Sequence, residues 1–153
     1  NLEVIDPSSQ SKILPHIFEL SMGIDRSLYA ILEHSYHEDY EHDDRVVLRL
    51  KPYLAPITVG VLPLMTKDGI GDKARNIYAA IRKEFDAFID ESGSIGRRYR
   101  RLEEIGVPFA ITIDKTSMVD ETVTIRNRDT MEQERIRISE INPVLAKAVY
   151  HYE

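Results

Sequence analysis

Residues 57–64 form an apolar run without polar alternation, the feature that most constrains how this chain folds. A strand with one wet face alternates apolar and polar side chains, so a near-continuous run, interrupted here by Thr58 alone, marks a strand buried on both faces. The whole run, 57–65, is about half the ~20 residues that a membrane-spanning helix needs. Asp68-Gly69 punctuates the strand, and Ala74, Ile77, Tyr78 and Ile81 then recur at helical spacing. Residues 85–89 read as a second strand. Ser92 or Ser94 can cap a second helix, which shows Ile95, Tyr99 and Leu102 on one face. Gly106 stands where a helix of that length turns off. Residues 107–113 read as a third strand, 121–128 and 133–138 as a hairpin about a polar turn, and 141–150 as a final helix with Pro143 in its first turn. The order implies an α/β fold with a mixed sheet flanked by helices.

Upstream of this unit the pattern changes. Residues 14–22 alternate as a strand does, with Ile17, Glu19 and Ser21 on one side and Phe18, Leu20 and Met22 on the other. Gly23 breaks that strand, and Ile24, Leu28, Ile31 and Leu32 mark one face of a helix. The acidic run 38–44 has no periodicity, and it reads, on to Pro56, as a connection between two structural units. At 153 residues the chain holds one ordinary domain with room for a shorter extra piece. It contains no cysteine, which removes disulfides, thiolate metal sites and cysteine nucleophiles from consideration. The net charge of −6 is uneven: residues 1–51 hold five Lys/Arg against ten Asp/Glu, and the remainder fifteen against sixteen. A near-neutral second unit carrying a local arginine cluster can bind RNA locally. The first residue is Asn1 and not methionine, so the expectation is a fragment of a longer protein.

Two stretches carry a resemblance. Glu19-Leu20-Ser21-Met22-Gly23-Ile24-Asp25-Arg26, followed by Leu32-Glu33-His34-Ser35-Tyr36, resembles motif 3 of class II aminoacyl-tRNA synthetases in the form found in glycine–tRNA ligases of the archaeal and eukaryotic type. It departs from that form at Leu20, where the family usually has proline. Ser92-Gly93-Ser94-Ile95-Gly96-Arg97-Arg98-Tyr99, with Thr112-Ile113-Asp114 and the hairpin residues from Thr122 to Gln133, resembles the anticodon-binding domain of the same enzymes. The two motifs stand in the expected order and cover nearly the whole chain from Pro15.

The resemblance implies residues 1–44 as the carboxy-terminal piece of a catalytic domain, 45–56 as the connection and 57–153 as the anticodon-binding domain. The implied reaction joins glycine to ATP as an adenylate and passes the glycyl group to tRNA(Gly). Motifs 1 and 2 are not found in the chain, so it should be inactive alone. By resemblance, Glu19 serves the ATP and Mg2+ region and is the one carboxylate implied near the metal of Mg-ATP. Ser21 contacts glycine, Gly23 supplies the turn and counts with Glu19, Ser21 and Arg26 among the residues that bind ATP and glycine, and Arg26 stacks on adenine and grips phosphate. Read without the resemblance, Arg26 is an exposed first-turn arginine, and Glu19 and Ser21 are polar positions of an edge strand.

Arg97, Arg98 and Arg101, in a run of four arginines within five positions, are expected to meet tRNA. The bland alternative is a solvated helix face. Arg126, Arg128, Asp129 and Gln133 flank the hairpin turn and supply donors and acceptors for the two cytosines of a glycine anticodon, their alternative being cross-strand pairing. Tyr99 fits the buried face. The histidines His16, His34, His37, His42 and His151 show no metal-ligand spacing, though His34 and His37 lie three apart on the expected helix. The family further implies a cytoplasmic homodimer with no tightly bound cofactor and no membrane. A rival reading from another class is a non-catalytic RNA-binding or adaptor module with the same fold, to which the retention of Glu19, Ser21 and Arg26 is opposed.

Overall fold

The computed structural model describes residues 3–40 and 45–150, and the chain divides into two compact units, residues 1–30 and 31–153. His42 and His151, and Glu41 to Asp44 of the acidic run, lie outside the described residues.

In the first unit β1 (Val4–Ile5) pairs antiparallel with β2 (Lys12–Ile13), Val4 opposite Ile13. The Asp6 carboxylate accepts from the Ser8 amide and from the hydroxyls of Ser8 and Ser9, which closes the turn. These bonds hold its pKa down to about 2. The strand expected over 14–22 is not formed: those residues have no regular structure, and all are exposed. Alternation supplies a face to bury, but a strand also needs a neighbour for its N–H and C=O groups. Among the described residues the only partner in this unit is β1, and its pairing ends at Ile13. Helix α1 (Ile24–Ser35) starts at the expected place, the Gly23 carbonyl accepting from the amide and the hydroxyl of Ser27. Its apolar positions Ile24, Leu28 and Leu32 are exposed.

The second unit is built on a five-stranded sheet of order β6-β5-β7-β8-β9. Strand β5 (Val59–Pro63) is fully buried and lies parallel to β6 (Ala87–Ile89) on one side and β7 (Phe109–Ile113) on the other. This is the doubly flanked strand that the apolar run calls for. Strand β8 (Thr122–Asn127) is antiparallel to β7, and β9 (Gln133–Arg137) to β8, with Arg126 opposite Gln133 and Thr124 opposite Arg135. Helices α2 (Ile70–Ile81) and α5 (Ile141–Tyr150) cover one face, burying Val59, Val61, Ile111, Ile113, Val123 and Ile125. Helix α3 (Ile95–Glu104) covers the other through Leu102, Leu62, Ala110 and Val107. A short helix α4 (Ser117–Asp120) joins β7 to β8.

A hairpin precedes this sheet where the sequence reads as connection. Strand β3 (Tyr36–Asp39) pairs antiparallel with β4 (Arg45–Leu48), Asp39 opposite Arg45, and Val47 is fully buried. Strands of four residues are too short to show periodicity, and half of β3 is charged, so the acidic run masked it. Because α1 ends at Ser35, His34 sits on the helix and His37 on a strand, and the pair does not share a helical face.

Candidate nucleic-acid interface

The chain leaves β5 toward β6 through α2 and then crosses to β7 through α3 on the opposite face. This makes the carboxyl end of β5 a topological switch point, where open α/β sheets commonly bind ligands. Here the chain's own arginines fill it. Arg98 is 6% exposed and donates to the carbonyls of Pro63 (2.6 Å), Asp90 (3.4 Å) and Gly93 (3.0 and 2.7 Å). Arg101 donates twice to Asp90 Oδ2 (2.9 and 2.6 Å) and once to the Ser92 carbonyl (2.5 Å), keeping part of its side chain in solvent. The expectation of Arg98 as a tRNA contact is thereby corrected: it faces the sheet, and its donors are consumed by strand-end carbonyls. Arg97, one position earlier, is exposed and pairs with nothing among the described residues.

Arg128 is corrected in the same way. At 3% exposure it donates to the carbonyls of Leu48 (2.9 Å), Gly106 (2.9 Å) and Leu50 (2.7 Å), and it grips both oxygens of Asp129 at 2.9 Å. The side chain ties the exit of β4 to the turn after α3. Asp129 keeps about half of its side chain in solvent while it holds Arg128, and its amide donates to Asn127 Oδ1 in the hairpin turn. Gly106, at φ 84°, is required in that turn, since a Cβ there would lie 2.9 Å from Leu50 Cδ1.

The remaining hairpin arginine stands differently. Arg126 lies on the α3 side of β8, its guanidinium carbon 4.5 Å from the centre of the Tyr99 ring and its Nη2 3.1 Å from Glu103 Oε1. Glu103 is 4% exposed and also takes Arg45 at 3.3 Å, while Arg45 donates to Asp39 Oδ2 at 2.9 Å. The Tyr99 hydroxyl is 2.6 Å from Thr112 Oγ1, which fixes the ring. The expectation of Tyr99 as a packed residue is met in half: it is partly buried against the core cluster under α3, and one face carries the guanidinium. Beside these groups runs a groove of about 290 Å³, bounded by Gly96, Arg100 and Met131 as well as Tyr99, Glu103 and Arg126. A Cβ built on Gly96 would meet no atom within 4 Å, so this flank is open.

Strand alternation continues the same face outward through Gln133 and Arg135. Arg135 pairs with Asp114 (2.8 and 3.0 Å). That pairing, aided by Ser117 and opposed by burial, holds the Asp114 carboxyl well below the usual carboxylate range. Gln133 also borders the cavity on the other side of the hairpin, about 530 Å³, with Phe109, Ile125, Asn127, Glu132 and Val144.

Sequence reasoning singled out none of Arg45, Glu103 and Arg135, and it counted Arg100 only within the arginine run. A signal existed for two of them: Gly96, Tyr99, Arg100 and Glu103 recur at helical spacing on one face of α3. Arg45 had none, because its partners are distant in sequence.

In the first unit Glu19, Ser21 and Gly23 lie in the segment without regular structure, and Arg26 is in the first turn of α1. All four are exposed. Glu19 and Arg26 make no ion pair among the described residues. No cluster of three His, Asp or Glu side chains able to hold a metal occurs among the described residues either.

Residues 58–148 match the family described as anticodon binding domain. The chain is similar to glycine–tRNA ligases of the archaeon Methanothrix thermoacetophila (54% identical, 81% of this chain and 22% of the relative) and of Clostridium beijerinckii (48%, 92% and 30%). It is also similar to that of Thermobifida fusca (40%, 96% and 33%). It spans between about a fifth and a third of the length of these relatives. No helix among the described residues is long and apolar enough to cross a membrane. With a mixed sheet flanked by helices, an arginine-bearing groove beside its outer hairpin and the match over most of the second unit, the chain belongs to the anticodon binding domain family.

Proposed function

We propose that this chain is the carboxy-terminal part of a glycine–tRNA ligase and that its second unit reads the anticodon loop of tRNA(Gly). The observation that carries the reading is the groove between α3 and the β8–β9 hairpin, which Arg126, Arg100 and Tyr99 line together in a domain of the matching type. Single-stranded bases are read by stacking and by hydrogen bonds to edges that a duplex would hide. A guanidinium beside an aromatic ring serves both needs. Arg97, exposed and unpaired among the described residues, suits a backbone phosphate, and Gln133 suits a base edge. Arg101 retains an exposed edge despite Asp90.

Residues 1–44 then belong to the catalytic part, 45–56 join it to the rest, and 57–153 form the anticodon-binding domain. In the full enzyme, which would work as a homodimer in the cytoplasm, ATP with Mg2+ is substrate. The glycine carboxylate attacks the α-phosphorus, pyrophosphate leaves, and the adenylate passes its glycyl group to tRNA. Arg26 would stabilise charge on the phosphates, Glu19 would serve the ATP and metal end, and Ser21 would line a pocket that leaves no room for a β-carbon. The reading is tested in the full-length parent. Ser21→Val should sharply reduce glycine-dependent ATP–pyrophosphate exchange and leave tRNA binding nearly intact. Arg97→Ala should weaken binding of every tRNA and lower the salt slope by roughly 0.7. Normal exchange in the first variant and an unchanged salt slope in the second would refute these roles.

A further inference from the structure

We infer that Glu103 is a positioning residue for RNA reading: it fixes the Arg126 guanidinium at the mouth of the groove, so that this arginine selects a base and does not merely attract phosphate. The inference rests on the proposal that this groove meets the anticodon loop. Its ground is the way Arg126 is held. The side chain is 17% exposed, with one face on the Tyr99 ring at 4.5 Å and Nη2 on Glu103 Oε1 at 3.1 Å, and its Nε is buried without a partner among the described residues. Glu103 cannot follow Arg126 if it moves, because the same carboxylate oxygen lies 3.3 Å from Arg45 Nη1. Arg45 is in turn fixed by Asp39 at 2.9 Å, and Tyr99 by Thr112 at 2.6 Å.

A surface arginine with free rotamers follows a phosphate wherever the backbone goes and discriminates poorly. A guanidinium clamped on one edge and one face presents its remaining donors in a fixed direction, which is the requirement for telling cytosine O2 and N3 from the edge of another base. The two arginines and two carboxylates of this cluster balance in charge, so Arg126 is held by a neutral network and is not one of a row of free cations. The structural alternative is that Glu103 serves only to neutralise Arg45 under the β3–β4 hairpin.

The experiment uses a full-length glycine–tRNA ligase carrying these residues. Binding is measured to the tRNA(Gly) transcript and to transcripts with each anticodon cytosine replaced in turn. Glu103→Gln removes the charge at constant size, Glu103→Asp keeps the charge and withdraws it by one methylene, and Arg126→Ala removes the reader. Whichever Glu103 variant keeps a near-wild-type melting curve decides. The expected result is about a tenfold loss of cognate affinity, a collapse of discrimination at one cytosine and an unchanged salt slope. The Glu103→Gln/Arg126→Ala double variant should discriminate no worse than Arg126→Ala alone. A folded Glu103 variant that keeps the wild-type discrimination ratio overturns the inference, as does one that weakens all transcripts equally. If Arg126→Ala itself changes neither affinity nor discrimination, the failure belongs to the reading of the groove as the RNA site.

Discussion

Arg128 replaces three hydrogen bonds that water would otherwise make to the carbonyls of Leu48, Leu50 and Gly106, and its charge is met by Asp129. Removing it strands buried acceptors, each costing about 1 kcal/mol or more, and leaves Asp129 without its cation. Arg128→Ala should therefore lower stability by roughly 3–5 kcal/mol, read as a drop in the urea midpoint at constant m value. Arg128→Lys should fall between, because one ammonium cannot span three carbonyls that a planar fork reaches. A loss below about 1 kcal/mol for the alanine variant would show that water takes over the carbonyls and that Arg128 is free for RNA after all. The arginines of this protein were legible as a set but not one by one. The sequence names a basic helix and a basic hairpin. Which guanidinium turns inward depends on where the carbonyl ends of β5, β6 and β4 arrive, and no local pattern carries that.

At the scale of elements, α3 approaches the sheet so closely that Gly60 of β5 admits no side chain. A Cβ there would lie 2.2 Å from Leu102 Cδ1, and Leu102 is buried. Gly60→Ala should cost roughly 1–3 kcal/mol by overpacking, and Leu102→Ala roughly 2–5 kcal/mol by leaving a cavity. The double variant should lose less than the sum, since each change relieves the other, and simple additivity in urea melts would mean that α3 shifts freely on the sheet. A second element contact is electrostatic: Asp114, just after β7, holds Arg135 of β9. The folded Asp114 carboxyl titrates below its ordinary value of 3.8, so its contribution is complete above that value. The contribution fades as the pH falls from there through the lower folded value. Asp114→Asn should thus cost roughly 1 kcal/mol, discounted for partial exposure, at pH 5 to 7 alike. The gap from the wild type should close only in strong acid. A gap already closing between pH 7 and 5 would contradict this sign. Strands β5, β7, β8 and β9 and helices α2, α3 and α5 follow the sequence periodicity, because burial on a sheet or helix face is what periodicity encodes. The β3–β4 hairpin escaped it, and the alternation at 14–22 overstated it, because strand pairing is a contact with another segment and not a property of one.

Across the whole molecule, burial is distributed unequally. Every buried hydrophobic side chain among the described residues lies between Val47 and Leu145, whereas Leu14, Ile17, Phe18, Leu20, Met22 and Ile24 are all exposed. Stability scales with the apolar area withdrawn from water, so the first unit contributes little to it. A chain shortened to residues 31–153 should keep the unfolding free energy read from urea melts to within about 0.5 kcal/mol of the chain 1–153. The stub of α1 that remains, residues 31–35, is too short to hold helix by itself and should fray without disturbing the sheet. The same deletion removes several large apolar side chains exposed close together in sequence, which favour self-association when they come together. Sedimentation at rising concentration should therefore show the chain 1–153 associating and the chain 31–153 remaining monomeric. Arg97, Tyr99, Glu103 and Arg126 all lie within the retained part, so both chains should bind a tRNA(Gly) anticodon stem-loop with equal affinity. A loss of more than about 2 kcal/mol in the melt, or a marked loss of stem-loop binding with the fold intact, would show that residues 1–30 support the second unit.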